Sequence, residues 1–338
     1  MKHLTRPLAG LCLAALAALG GPAAADTIKL RVSSYAPAGN FVNEQVIKGF
    51  LDRVVADAEG TLDYQLFPGG TLGRNPAEQL KLVQDGVADV AFVVPGFTPG
   101  AYDRYGIVEI PGLIHDAREG AAVLAAAYAA GLLETPERTR VLGVFSSDMN
   151  AIHLRDPVAG LDGLTGKSLR AVGKPQADGV TILGGVPVTG LASTEVAEAI
   201  SRGTVDGAVM GAASLDAFRA SEVAVQHIRV PMGSAALMLP MNLGTWEKLP
   251  APAKAAFEKH GGMAFAEATG AIFHEQDETY FAKITAKPGH SELVLDDAAR
   301  AAYLEKVAAV GRDWAAQGAE RAAVYDFAIK TLESLRGE

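Results

Sequence analysis

The chain has 338 residues, nearly half of them apolar, with a formal charge of −9 and one cysteine. That length exceeds a single ordinary core and suits two lobes, while the apolar share excludes a disordered chain. The acidic balance is a poor match for nucleic acid or an anionic membrane surface, so neither is expected as a partner.

The first 25 residues read as a secretory leader. Lys2 and Arg6 make a basic start, residues 8–19 are a short apolar run, and Ala23-Ala24-Ala25 offers a small-residue cleavage site before Asp26. The apolar run is too short to span a bilayer, and no later stretch is long and apolar enough. Leu11 before Cys12 does not suit lipoprotein processing, so the cysteine is expected to leave with the leader. Loss of Lys2 and Arg6 takes the charge from −9 to −11. The mature chain then has neither a disulfide nor a thiol nucleophile, which suits a bacterial periplasm.

The mature chain opens with a strand at 29–33 and a loop at 34–40 that ends on Asn40. A helix over about 43–58 puts Val46, Ile47, Phe50 and Val54 on one face. Residues 61–67 alternate like a second strand, and Pro68-Gly69-Gly70-Thr71-Leu72-Gly73 is a loop. Asn75-Pro76-Ala77-Glu78 is a helix start, with a capping Asn, Pro at the first helical position and Glu three residues after the cap. That helix ends at Gly86, and residues 87–94 read as a near-continuous buried strand. The loop at 95–100, with Phe97, follows its carboxyl end, where open α/β sheets place ligands.

A turn at Thr165 and Gly166 leads to a strand over 167–172. Leu169 and Ala171 point one way, Ser168, Arg170 and Val172 the other. Arg170 is a permanent charge among small and apolar neighbours, so it needs water, a structural ion pair or an anionic ligand. The second half then repeats part of the first. Gly184-Gly185 opens a loop, Ser193 or Thr194 caps a helix ending at Gly203, and 206–210 is a strand. Gln84-Asp85-Gly86-Val87-Ala88-Asp89 and Ser201-Arg202-Gly203-Thr204-Val205-Asp206 share their layout, which implies two similar α/β lobes facing each other. Each Asp reads as a cap or turn residue at a strand start. A strand at 238–245 precedes a helical run over about 251–286, bent at Gly261-Gly262 and Gly270 and long enough to lie across both lobes. Residues 296–338 read as terminal surface helices.

Catalytic motifs are scarce. The run from Gly160 to Ser168 resembles a phosphate loop, but Leu161 stands where Gly is needed and a strand follows. There is no Gly-x-Ser-x-Gly elbow. His274, Glu275, Asp277 and Glu278 read as a solvated helix face rather than a metal site. His153 reads as a surface or satisfied histidine, with ligand contact as the other possibility. Tyr102, Phe97, Trp246 and Met210 suit either core or an apolar cleft wall.

Several runs resemble the solute-binding proteins of tripartite ATP-independent periplasmic (TRAP) transporters. They include Leu66-Phe67-Pro68-Gly69-Gly70-Thr71-Leu72-Gly73, Val83-Gln84-Asp85-Gly86, Ile110-Pro111-Gly112-Leu113 and Leu164-Thr165-Gly166-Lys167-Ser168-Leu169-Arg170. Thr194-Glu195-Val196, Gly203-Thr204-Val205-Asp206-Gly207, and Met241-Asn242 with Trp246-Glu247-Lys248-Leu249-Pro250 continue the series in family order. The resemblance implies a two-lobed α/β fold of the periplasmic-binding-protein type, type II-like, with the lobes bridged by a long helix. Lobe I would hold 26–149 and about 236–270; lobe II, 150–235 and about 271–338. It also implies a receptor that closes on a small organic acid and delivers it to membrane permease subunits, with no cofactor, no metal and no enzymatic activity. Arg170 would pair with the ligand carboxylate; Asn150, Phe97, Ser193, Met210, His153 and Asn40 are the other candidate contacts. Sialic-acid receptors of the family carry Arg near the position of Asn150, Phe near Ser193 and Asn near Met210. Their absence here argues against sialic acid. No second obvious cation faces Arg170, and His153, Arg155 and Lys174 are the candidate substitutes. A receptor for an ATP-driven importer or a sensor would share these lobes. A periplasmic enzyme on the same scaffold is the alternative of another class, opposed by the lack of a nucleophile–base pair.

Overall fold

The computed structural model describes residues 27–337. The leader, Cys12 and the expected cleavage site lie outside them. One unit of structure occurs twice. The first runs β1 (Ile28–Ser33), α1 (Gly49–Asp57), β2 (Leu62–Phe67), α2 (Gln79–Gln84) and β3 (Val90–Ala91). After α3 (Ala117–Ala129) and the long β4 (Thr139–Leu154), the second runs β5 (Ser168–Arg170), α4 (Lys174–Ile182), β6 (Val186–Val188), α5 (Val196–Ser201) and β7 (Gly207–Gly211). The remainder is α6 (Ala212–Ala217), β8 (Gln226–Ile228), β9 (Ser234–Asn242), α7 (Leu243–Lys248), α8 (Ala251–His260), α9 (Gly262–Thr285), β10 (Ser291–Leu293), α10 (Asp297–Ala315) and α11 (Ala319–Arg336).

In each unit the first strand lies between the other two, all parallel, and one antiparallel strand closes the set. The orders are β2-β1-β3-β9 and β6-β5-β7-β4. Because β4 and β9 pair with each other, the two halves join in one sheet. β4 runs from one lobe into the other. Residues 139–149 pair with β9, and residues 150–154 pair with β7. The register slips between Ser146 and Met149, where the strand leaves the first lobe; such a bulge bends a strand and re-aims its side chains.

The likeness of the halves extends to single hydrogen bonds. The Asp89 N–H donates to Arg31 O at 2.8 Å, and its carboxylate accepts the Arg31 N–H at 2.8 Å. The Asp206 N–H donates to Ser168 O at 2.7 Å, and its carboxylate accepts the Ser168 N–H at 2.7 Å. Each acid ties the third strand of its unit to the first, the strand-start role expected of it.

Several elements differ from expectation. The strand over 87–94 is laddered only at Val90–Ala91, with a further bridge at Val93, and Val87 is exposed. The first helix opens with wide π-type turns over Val42–Lys48, yet Val46, Ile47, Phe50 and Val54 are all buried as expected. Neither Ser193 nor Thr194 caps α5. Glu195 holds the cap position of α5, at the end of a 3-10 turn over Ser193–Glu195 that starts from Ala192, whose N–H donates to Glu195. The run over 251–286 is two helices, broken at Gly261, which is extended there. α9 continues through Gly270 without a break. A side chain there would press on the α3 backbone at Arg118, so glycine sets the approach of the two helices.

α9 packs on α3 and β4 and reaches α6, so it touches both halves. The first lobe has one large core around Phe50, Phe145 and Phe265, with ring centroids 4.7 and 5.1 Å apart. The second lobe has a smaller cluster on each face of its sheet, because neighbours alternate: Ala208 and Met210 enter one, Val209 the other. No helix among the described residues is long and apolar enough to cross a membrane.

Candidate functional site

A cavity lies between the lobes at the carboxyl ends of β1, β3, β5 and β7, the place where open α/β sheets bind ligands. It measures about 60 Å³, several times the room one water molecule needs. Six of the seven residues singled out from the sequence line it: Asn40, Phe97, Asn150, Arg170, Ser193 and Met210.

Arg170 reaches the cavity because strand alternation sends Leu169 into the core and turns Arg170 the other way. The guanidinium is buried. Nε donates to Leu191 O at 3.1 Å and Nη1 to Val209 O at 3.4 Å, while Nη2 has no partner. No carboxylate forms an ion pair with it among the described residues. Burial pulls its pKa down to about 10, with Tyr35 and Glu109 acting in the opposite sense. Asn150, on β4, is the second orphan: its Nδ2 is buried without a partner, although its backbone is satisfied by Gly233 and Met232. Two buried N–H donors therefore face one cavity unpaired.

The remaining wall is largely apolar. Tyr35 stacks on Phe92 at 5.1 Å and on Phe218 at 6.1 Å. Met210, Val172 and Leu237 add aliphatic surface. Asn40 is partly used locally, its Oδ1 accepting the Val42 N–H at 2.9 Å. Ser193 is free of capping duty, which leaves its hydroxyl for the cavity. A larger cleft of about 930 Å³ lies outside, lined by Tyr102, Glu109 and Lys174 among others. Phe97 and Val172 line both spaces and so stand between them.

His153 lies behind the cavity rather than in it. Beyond Asn150, pairing with β7 and β8 carries β4 into the second lobe, about 10 Å over three residues. His153 Nε2 lies 3.0 Å from Met210 O, and Nδ1 lies 2.8 Å from His227 Nδ1. His227 Nε2 continues to His290 Nδ1 at 2.9 Å. A carbonyl only accepts, so neutral His153 carries its proton on Nε2 and accepts at Nδ1 from His227, which in turn accepts at Nε2 from His290. Arg155 pairs with Asp156 and Lys174 with Asp178, so neither supplies a second cation beside Arg170. Trp246 packs in the first lobe on Phe257, under Arg140. Of the cluster on α9, Asp277 and Glu278 pair with Arg229, and His274 lies near Asp116.

Three polar residues of the site escaped the sequence reading. Tyr35 sits in the loop after β1, and burial raises its phenol pKa. Glu109, in the turn Asp103–Glu109, is buried with Oε2 unpartnered. Burial pushes it up to about 8 against the pull of Arg170. Its carboxyl lies against Gly173, where a Cβ would come within 1.9 Å of Oε2. Asp148, on β4, lines the cavity. Burial, then Asp277, push it up to about 7. Glu109 and Asp148 are lone acids among apolar or small neighbours, the signal that marked Arg170.

The chain matches the family model of bacterial extracellular solute-binding proteins, family 7 (DctP), over residues 32–317. Among curated proteins it is similar to the outer membrane transporter protein TsaT of Comamonas testosteroni, 26% identical over 76% of this chain and 77% of that one. Among solved structures it is similar to a marine metagenome TRAP solute-binding protein specific for aromatic acid ligands, in complex with 3-hydroxybenzoate. The TM-score is 0.84 at 21% identity, covering 92% of this chain and 99% of that one. A TRAP solute-binding protein of Rhodoferax ferrireducens with copurified benzoate gives 0.81 at 20%, covering 91% and 100%. One from Bordetella bronchiseptica with bound (R)- and (S)-mandelate gives 0.80 at 21%, covering 91% and 99%. These structures share the two-lobed fold. With most of its length matched by the family model, the chain belongs to the bacterial extracellular solute-binding proteins of family 7.

Proposed function

We propose that this protein is the periplasmic receptor of a TRAP transporter. It holds a small organic acid by its carboxylate against Arg170 and passes it unaltered to membrane permease subunits. One observation carries the reading: two buried N–H donors, Arg170 Nη2 and Asn150 Nδ2, face the same cavity with no partner. Buried donors are rarely left unpaired, and a carboxylate satisfies both while neutralising the guanidinium. Tyr35, Phe92, Phe97 and Phe218 give the rest of the ligand an aromatic wall, which suits a ring or other compact apolar body. Relatives described as binding benzoate, 3-hydroxybenzoate and mandelate fit that chemistry.

Mass spectrometry of protein purified from the periplasm, after denaturing release, tests this directly. A small carboxylic acid is the expected passenger, and calorimetry with that acid should give a one-to-one complex. A neutral sugar or a peptide bound in its place, with carboxylic acids silent, would refute the reading.

A further inference from the structure

The cavity has a second polar pole. Asp148 is only 1% exposed, yet it lines the cavity. Its Oδ2 accepts the Ala213 N–H at 3.0 Å, and its backbone carbonyl accepts the Ser147 hydroxyl at 2.8 Å. Oδ1 accepts no hydrogen bond from another residue among those described. The carboxyl lies close against Gly211. A Cβ there would come within 2.2–2.4 Å of its three carboxyl atoms, so glycine is what lets the acid occupy this place.

Different neighbours act on the two poles. Arg170 feels Tyr35 and Glu109, whereas Asp148 feels Asp277 on α9, itself tied to Arg229. A ligand in the cavity meets a cation on β5 and, on β4, a carboxyl whose Oδ1 takes no hydrogen bond from another residue. A ligand donor satisfies this acceptor, and above about pH 7, where Asp148 ionises, a second carboxylate brought against it adds like-charge repulsion.

We propose that Asp148 selects the ligand by accepting a hydrogen bond from it. On this assignment the receptor takes small ring acids that bear one carboxylate and one further donor, a hydroxyl or an N–H, and rejects ring dicarboxylates. The assignment rests on the reading of Arg170 as the carboxylate anchor, and it extends that reading to a second contact with the ligand.

Calorimetry at about pH 8.5, where Asp148 is ionised, with benzoate, the three hydroxybenzoates, pyroglutamate and the benzene dicarboxylates tests it on wild type, Asp148→Asn and Arg170→Ala. Asparagine keeps an oxygen for the Ala213 N–H and replaces the free acceptor with a donor. In wild type at least one donor-bearing acid should bind about 10- to 100-fold more tightly than its donor-free counterpart, and the dicarboxylates should be weakest. In Asp148→Asn that advantage should shrink to within about threefold, with dicarboxylates gaining. The proposal is overturned if wild type binds none of the donor-bearing acids, if a dicarboxylate equals the best of them, or if the preference survives in Asp148→Asn. Failure of the anchor reading looks different: Arg170→Ala then binds the acids normally, or 3-hydroxybenzyl alcohol binds as tightly as 3-hydroxybenzoate.

Discussion

Burying Arg170 without an ion pair costs stability that two main-chain carbonyls only partly offset. A ligand carboxylate supplies the missing partner, and the strand position holds the fork ready for it. Truncating one side of a buried charge pair costs roughly 2–5 kcal/mol, so Arg170→Ala should weaken binding of the acid by roughly 30-fold to several thousand-fold. Arg170→Lys keeps the charge but loses the planar fork, and a smaller loss is expected. Melting of ligand-free Arg170→Ala should stay near wild type, because relief of the buried charge opposes the loss of two hydrogen bonds. A purely structural arginine gives the reverse pattern, with a large drop in Tm and normal affinity in whatever remains folded; titration beside melting separates the two. The sequence revealed Arg170 because a lone charge in a small, apolar strand demands an explanation. It did not reveal that Asn150 Nδ2 would be the second orphan, since an amide is unremarkable until its neighbours are known.

The elements that matter most to the lobes meet at very short range. Gly143 on β4 faces the Phe265 ring of α9, and a Cβ there would lie 2.2 Å from the ring. Phe265 cannot swing aside, because Phe50 and Phe145 hold it edge-on at 4.7 and 5.1 Å. Gly143→Ala should therefore destabilise by about 1–3 kcal/mol through overpacking. A urea midpoint equal to that of wild type would show that the helix gives way instead. The existence of these elements was legible from hydrophobic period and from Gly punctuation. Gly86 and Gly203 end their helices in the left-handed region, as a glycine just past a helix allows. The π-type start of the first helix and the brevity of β3 were not legible, because both are set by what packs against them. The same holds for His153. Its place followed from pairing with β7 and β8, which no local pattern encodes.

At the scale of the whole molecule, the seam between the lobes concentrates buried titratable groups, and their signs fix how stability depends on pH. Asp148 and Glu109 are held up to about 7 and about 8, chiefly by burial. Their ordinary values lie near 4, so the folded state binds protons that the unfolded chain releases. The stability linked to them is fully present below about pH 4 and is lost as pH rises through 7 and 8. His153 and His227 behave oppositely. Burial first holds them down to about 4 and about 3, with His227 also opposed by its histidine neighbours. Their contribution is full above about pH 6.5 and is lost as pH falls through 4 and 3. The two trends leave a maximum on the mildly acidic side of neutrality. Melting of the ligand-free protein between pH 4 and pH 9 should show it, with Tm falling on both sides. Glu109→Gln and Asp148→Asn remove the groups that drive the alkaline limb while leaving the histidines in place. Each should flatten that limb and leave the acid limb unchanged. An alkaline slope that survives in the double variant would mean that these carboxyls stay ionised in the folded protein, with solvent or an ion reaching the seam between the lobes.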